Sequence, residues 1–203
     1  MGWIEALLGI ACPGCGRGLD AAGLCTACRK ALAPRRRGHL VFLGTYARWG
    51  GAVRALKYRG YREVARVLAP VLARGVHEAG WEITAVTAVP TLVWRRLRRG
   101  YNPAEVLAQA VAEVLERPYV PVLRRARYTP SQTRRAPQER ANLPPDLFRA
   151  APVRGDWLLV DDVWTSGATF ARARDALARA GARRVYGAVI AVRNPKAAGL
   201  TPV

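Results

Sequence analysis

The stretch Trp157-Leu158-Leu159-Val160-Asp161-Asp162-Val163-Trp164-Thr165-Ser166-Gly167-Ala168-Thr169 constrains this chain more than any other. An apolar run leads straight into two adjacent carboxylates. Short, Val/Leu-rich and unalternated, it has the pattern of a strand buried on both faces of a parallel sheet. Small and hydroxylated residues follow, and Phe170 to Ala180 then reads as a helix. The expected class is therefore α/β, a parallel sheet flanked by helices.

The chemistry of the stretch falls into two halves. The first N–H groups of a helix are unpaired and lie at the positive end of its dipole. Thr165, Ser166, Gly167, Ala168 and Thr169 would thus form a cradle for an anion such as a phosphate. Asp161 and Asp162 would repel that anion but accept hydrogen bonds from sugar hydroxyls, which makes them the candidate catalytic residues. Together the halves describe a pocket for a ribose 5-phosphate. An ordinary strand–loop–helix with Asp162 or Thr165 as N-cap accounts for one Asp and one Thr, not for the series. Neither P-loop spacing nor Gly-x-Gly-x-x-Gly occurs.

Val160 to Thr169 resembles the signature for 5-phosphoribosyl-1-pyrophosphate (PRPP) in type I phosphoribosyltransferases, with Ser166 where many members have a second Thr. The resemblance implies Asp161 and Asp162 on the ribose 2′- and 3′-hydroxyls, and Thr165 to Thr169 around the 5′-phosphate.

The chain has 203 residues, half of them hydrophobic, enough for one α/β domain and a small appendage. Its formal charge of +19 is nearly all Arg, with Lys only at Lys30, Lys57 and Lys196. Such a charge favours a polyanionic partner, although a GC-rich genome would also raise Arg at neutral surface sites. No stretch approaches the roughly 18–20 apolar residues that span a bilayer, and no signal peptide is evident. A cytoplasmic protein without a membrane span is expected.

Residues 1–11 carry apolar residues at helical spacing. All four cysteines follow: Cys12-Pro-Gly-Cys15 and Cys25-Thr-Ala-Cys28. Two C-x-x-C pairs at this separation suit a compact knuckle holding a structural zinc in a closed Cys₄ shell. Two disulfides or a redox C-x-x-C are the alternatives. Residues 1–36 are read as this zinc-binding module and 37–203 as the α/β domain.

Further along, Leu40 to Tyr46 suits a strand, and Gly50-Gly51 should open a helix over 52–59 that stops at Gly60. Taken alone, Lys57 and Arg59 would be a solvated helix end. Tyr61 to Ala79 should be a helix kinked or split at Pro70. Ile83 to Val89 reads as a core strand. Thr91 to Asn102, with Trp94, Arg95, Arg96, Arg98, Arg99 and Tyr101, is expected to be a basic loop. Guanidinium forks there could hold a pyrophosphate, and aromatics between arginines would suit stacking on single-stranded bases. Asn102-Pro103 caps a helix over 104–116. Tyr119 to Leu123 suits a strand, and 124–150, which includes Arg134 and Arg135, reads as a loop closing over the pocket. Val185 to Val192 should be the last strand, and 194–203 a tail.

The ordered set Cys12/Cys15/Cys25/Cys28, Leu56-Lys57-Tyr58-Arg59-Gly60, Val89-Pro90, Arg99-Gly100-Tyr101-Asn102, Gln132, Arg140-x-Asn142 and Val160 to Thr169 resembles the ComF (GntX-like) competence proteins. The likeness covers nearly the whole chain. It departs at Thr91, where that family often has a His after the proline. The resemblance implies a zinc knuckle on a type I phosphoribosyltransferase-like body and a role in single-stranded DNA uptake during natural transformation. It implies a PRPP pocket including Lys57, Arg98 and Arg99, with Mg²⁺ accompanying PRPP. Nucleic-acid contacts would fall on Trp94, Arg95, Arg96, Tyr101, Arg134 and Arg135, and a DNA-uptake helicase or other competence proteins would be partners. Two alternatives are an active phosphoribosyltransferase on an unidentified base or amine, and an adaptor docking through its zinc module.

Overall fold

The computed structural model describes residues 11–58, 62–126 and 143–193. Six helices and seven strands are described, in the order α1 (Thr26–Lys30), β1 (Arg35–Arg37), β2 (Leu40–Thr45), α2 (Tyr46–Tyr58), α3 (Arg62–Glu78), β3 (Ala85–Ala88), α4 (Val93–Arg99), α5 (Pro103–Val114), β4 (Leu123–Arg125), β5 (Phe148–Ala150), β6 (Asp156–Trp164), α6 (Ala168–Arg179) and β7 (Arg184–Val192).

The central sheet runs β1-β2-β7-β6-β3. Only β1 is antiparallel; β2, β7, β6 and β3 are parallel to their neighbours. The mixed α/β class expected from the apolar run is thus the one observed. Buried on both faces and paired on both edges, β6 is an interior strand between β7 and β3. Leu158 and Val160 face one way, into a core shared with Trp49, Val53 and Leu56 of α2, Leu68 and Leu72 of α3, and Leu107 and Val111 of α5. Leu159 faces the other way, against Phe170, Ala173 and Leu177 of α6 and the small antiparallel β4–β5 ribbon. Each such side chain contributes about 1.5–3 kcal/mol through burial.

The helices that follow the adjacent strands β3 and β6 therefore cover opposite faces of the sheet. In parallel α/β sheets, such a divergence opens a crevice at the carboxyl ends of the strands.

Several elements differ from the sequence reading. Thr91 to Asn102 is not a loop: Val93–Arg99 forms α4, ended by Gly100 at φ 76°. Arg and Leu are good helix formers, and the left-handed Gly stops the run. Gly50 and Gly51 lie inside α2 instead of opening it. At Gly50 a Cβ would lie 2.9 Å from the Tyr46 ring, and at Gly51 it would collide with the Pro13 carbonyl, so close packing is what they permit. α3 runs on through Pro70, which is exposed. A proline inside a helix removes one backbone hydrogen bond, which the rest of the helix tolerates here. β6 continues through Asp161 and Asp162 to Trp164. Tyr119 makes only an isolated parallel bridge to Val86, and the strand lies later, at Leu123–Arg125. The 124–150 stretch is regular at both ends, in β4 and β5. The readings for 1–10, Arg59 to Tyr61, Gln132, Arg134, Arg135, Arg140, Asn142 and 194–203 lie outside the described residues.

Among the described residues, no helix is long and apolar enough to cross a membrane.

Candidate functional site

Asp161 and Asp162 are neighbours on a strand, so their side chains leave opposite faces of the sheet at its carboxyl end. Their surroundings differ accordingly. Asp162 faces α2, and its Oδ1 lies 3.0 Å from the Lys57 ammonium at the end of that helix. The Asp161 carboxylate turns back on the chain and accepts the Asp162 backbone N–H at 2.8 Å. Burial and the Asp162 charge push the Asp161 carboxyl up to about 8. Burial also raises Asp162, opposed by Lys57 and then by Arg99. Of the two carboxylates at this strand end, Asp162 alone makes a close ion pair with Lys57. Such desolvated, mutually repelling acids concentrate at functional sites.

The loop after β6 is short and open. Thr165 and Ser166 are exposed, Gly167 caps α6 at φ 79°, and Ala168 and Thr169 start the helix. Ala168 N donates to Ser166 Oγ at 3.4 Å. Gly167 is required twice, by its left-handed backbone and by Trp164. A Cβ on Gly167 would lie 2.5 Å from the Trp164 ring. Trp164 packs on Phe170 at 4.9 Å, and its buried indole N–H finds no hydrogen-bond partner among the described residues. Sequence reasoning gave Trp164 no role; here it is the floor of the loop.

The carboxyl end of β3 contributes the third wall. Asn102 is buried, donates to Val89 O at 3.1 Å and accepts from Ala104 N at 3.2 Å, which fixes the turn into α5. Tyr101 donates its hydroxyl to Leu56 O at 2.6 Å, fastening this turn to α2 one residue before Lys57. Arg99 comes to the site, its guanidinium 4.8 Å from the Tyr58 ring centre. Arg98 is exposed on α4. Arg95 lies 5.1 Å over the Trp94 ring, and Arg96 pairs with Glu105 at 3.7 Å. Val93, Trp94 and Leu97 are exposed beside these arginines. Lys57, Arg99, Asp161 and Asp162 are therefore brought together, whereas Trp94, Arg95, Arg96 and Arg98 form a neighbouring basic face.

The four cysteines converge on a separate point. All four are free, and their sulfurs lie within 4.8 Å of one another. The Cys15–Cys25 sulfur separation is 3.7 Å. A tetrahedral ion with Zn–S near 2.3 Å needs sulfurs about 3.8 Å apart. The group could hold a metal such as zinc, and it is not a pair of disulfides. Arg48 of α2 donates to Gly14 O at 2.8 Å and to Cys28 Sγ at 3.7 Å. Cys12, Leu24, Cys25, Cys28 and Leu32 belong to the same core as α2 and α3.

Neither a protein-family model nor a curated protein matches the sequence. Among solved structures, the chain is similar to a glutamine PRPP amidotransferase from B. subtilis complexed with ADP and GMP, at 20% identity and TM-score 0.46. That match covers 68% of this chain and 30% of the amidotransferase. It is also similar to TT1426 from Thermus thermophilus, at 20% identity over 64% of this chain and 81% of that one, TM-score 0.39. A third likeness is to an allosteric regulatory enzyme of purine biosynthesis, at 22% identity over 62% of this chain and 25% of that one, TM-score 0.37. Likenesses of this size carry no function across, so the functional reading stands on the site's own geometry.

Proposed function

We propose that the carboxyl end of β6 binds PRPP or a related phosphoribosyl ligand, in a protein of type I phosphoribosyltransferase architecture. The observation that carries this reading is the Asp161–Asp162 pair, with Lys57 on Asp162, placed directly ahead of the Gly167-capped start of α6. The carboxylates would accept the ribose 2′- and 3′-hydroxyls. Thr165 to Thr169 would receive the 5′-phosphate, with backbone N–H groups and the positive end of the α6 dipole. Lys57 and Arg99, with Arg98 at the rim, would hold the pyrophosphate. Mg²⁺, entering with PRPP, would neutralise pyrophosphate charge. When bond breaking at C1 leaves positive character on the ribose ring, Asp161 and Asp162 would stabilise it.

Beside this pocket, the exposed basic face of α4 supports a second function on the same chain, contact with single-stranded DNA as in the ComF-like role. Trp94 stacked by Arg95, with Arg96 and Arg98 exposed, supplies ring and charge. Such binding weakens steeply with salt as phosphate contacts release counterions. Salt-insensitive binding would remove it. The Cys12/Cys15/Cys25/Cys28 group would hold a structural zinc, which has no open coordination position for chemistry.

The test is isothermal titration of PRPP with Mg²⁺ into wild type and into the Asp161→Ala, Asp162→Ala double variant. Binding by wild type alone is expected. No binding by wild type sinks the pocket. Pyrophosphate release with a panel of bases then separates a transferase from a ligand-binding protein.

A further inference from the structure

We infer that the Arg48 guanidinium clamps the two cysteine turns together and tunes the Cys28 sulfur toward a bound metal. This rests on the structural-zinc reading above and adds a residue, outside the cysteine segment, that keeps the ion in place. The four cysteines come as two short turns, Cys12 to Cys15 and Cys25 to Cys28, with no disulfide between them. Arg48, in the first turn of α2, reaches both. Its Nη1 donates to Gly14 O at 2.8 Å, inside the first turn, and its Nη2 donates to Cys28 Sγ at 3.7 Å, at the end of the second. The two turns pack closely here, since a Cβ on Gly14 would lie 2.8 Å from Cys28 Sγ.

The guanidinium is itself held. It lies 4.3 Å over the ring of Trp49, which is buried and donates its indole N–H to Leu43 O at 3.2 Å. A planar fork resting on a fixed ring presents its N–H groups in set directions, so it can serve two acceptors at once. Cys12 Sγ is served differently, by the backbone N–H groups of Gly14 at 3.4 Å and Cys25 at 3.3 Å, both within the cysteine segment. Arg48 brings a full positive charge from the helix on which that segment sits. A divalent ion among four thiolates leaves the shell with a net negative charge, and a guanidinium at one sulfur offsets part of it. Groups that hydrogen-bond a metal ligand orient it and tune the metal. No covalent or redox step is involved.

The experiment uses wild type, Arg48→Met and Arg48→Lys. It measures zinc affinity by chelator competition and, in cobalt(II)-loaded protein, the energy of the thiolate-to-metal charge-transfer band. Arg48→Met should bind zinc about 10–100-fold more weakly. Its cobalt band should move to lower energy, because a sulfur that loses a hydrogen bond gives up electron density more readily. Arg48→Lys should recover only part of both, since an ammonium is a point charge and not a fork. Arg48 is exposed, so the variants should fold, which their thermal transitions check. Wild-type zinc affinity in either variant overturns the clamp, and a cobalt band unmoved in Arg48→Met overturns the contact to sulfur. Both results leave the zinc reading standing. Failure of wild type to bind zinc overturns that reading and the clamp together.

Discussion

The Lys57 ammonium and the Asp162 carboxylate, 3.0 Å apart, join the end of α2 to the end of β6. The contact spans more than a hundred residues of chain and sits where both groups are mostly covered. Lys57 offsets the burial that otherwise raises Asp162. Removing it should leave a carboxylate with its closest counter-charge gone. Lys57→Met is expected to cost about 1–3 kcal/mol at pH 8, where Asp162 is driven to ionise. The cost should shrink toward pH 4 as the carboxyl takes up its proton. Denaturant unfolding at both values, with a double-mutant cycle through Asp162→Asn, measures the coupling. A pH-independent loss would mean that Lys57 acts through packing instead.

Asp161 carries the opposite sign. Its carboxyl titrates near 8 when folded and near 3.8 otherwise, so the folded state holds the proton longer. Stability therefore falls as pH rises from about 4 to about 8, by at most about 1.4 kcal/mol per unit. Asp161→Asn should raise the ligand-free melting temperature by several degrees at pH 8 and little at pH 4.5. The same variant should lose ribose 5-phosphate binding. A melting temperature unchanged at pH 8 would show that the carboxyl is not desolvated.

Gly51 tests the seat of the cysteine group. Gly→Ala inside a helix ordinarily stabilises by about 0.5–1 kcal/mol. Here the added methyl would meet Pro13 O, between the first two cysteines. Gly51→Ala should instead destabilise by about 1–3 kcal/mol and speed metal release to a chelator, read with zinc-loaded protein. Stabilisation by this substitution would mean that the cysteine segment does not rest on α2.

Metal removal should act on structure before binding. The cysteines share the core of α2 and α3, so chelation of zinc-loaded protein should lower the thermal transition of the whole body, not melt a detached module. A transition unmoved by chelator would show that the core does not depend on the metal.

At the other end of β6, buried Asp156 receives Arg183 Nε at 2.7 Å and Nη2 at 2.9 Å. The Arg183 hydrogen bonds hold its carboxyl below the usual range. The contribution is present above pH 4 and lost as pH falls through the lowered value. Arg183→Met should lower the melting temperature at pH 7, and the loss should fade as pH falls below the usual carboxylate range. A loss that does not change with pH would assign Arg183 a packing role.

Local chemistry made much of this readable. The Trp157 to Val160 run has no polar alternation, so it had to be a strand covered on both faces, and β6 is. Asn102-Pro103 announced α5 because capping is settled within a few residues. Two C-x-x-C pairs brought four thiols within reach, since each turn places its own pair. Other features could not be read that way. The Arg-rich run over 93–99 places Val93, Trp94 and Leu97 at helical spacing but is short and has no side-chain cap, and helix and loop look alike in such a sequence. Gly50 and Gly51 resembled helix breakers, and only Tyr46 and Pro13 at close range explain them.

The sequence by itself determined the strand, the carboxylate pair, the capped loop after it and the cysteine spacing, because each depends on neighbours a few bonds away. Tertiary structure decided that Lys57 meets Asp162, that Tyr101 anchors α2 and that Arg99 lies over Tyr58. Those contacts join segments far apart in the chain. They exist because α2 and the helices after β3 pack together on one face of the sheet, and no local pattern encodes where distant surfaces meet.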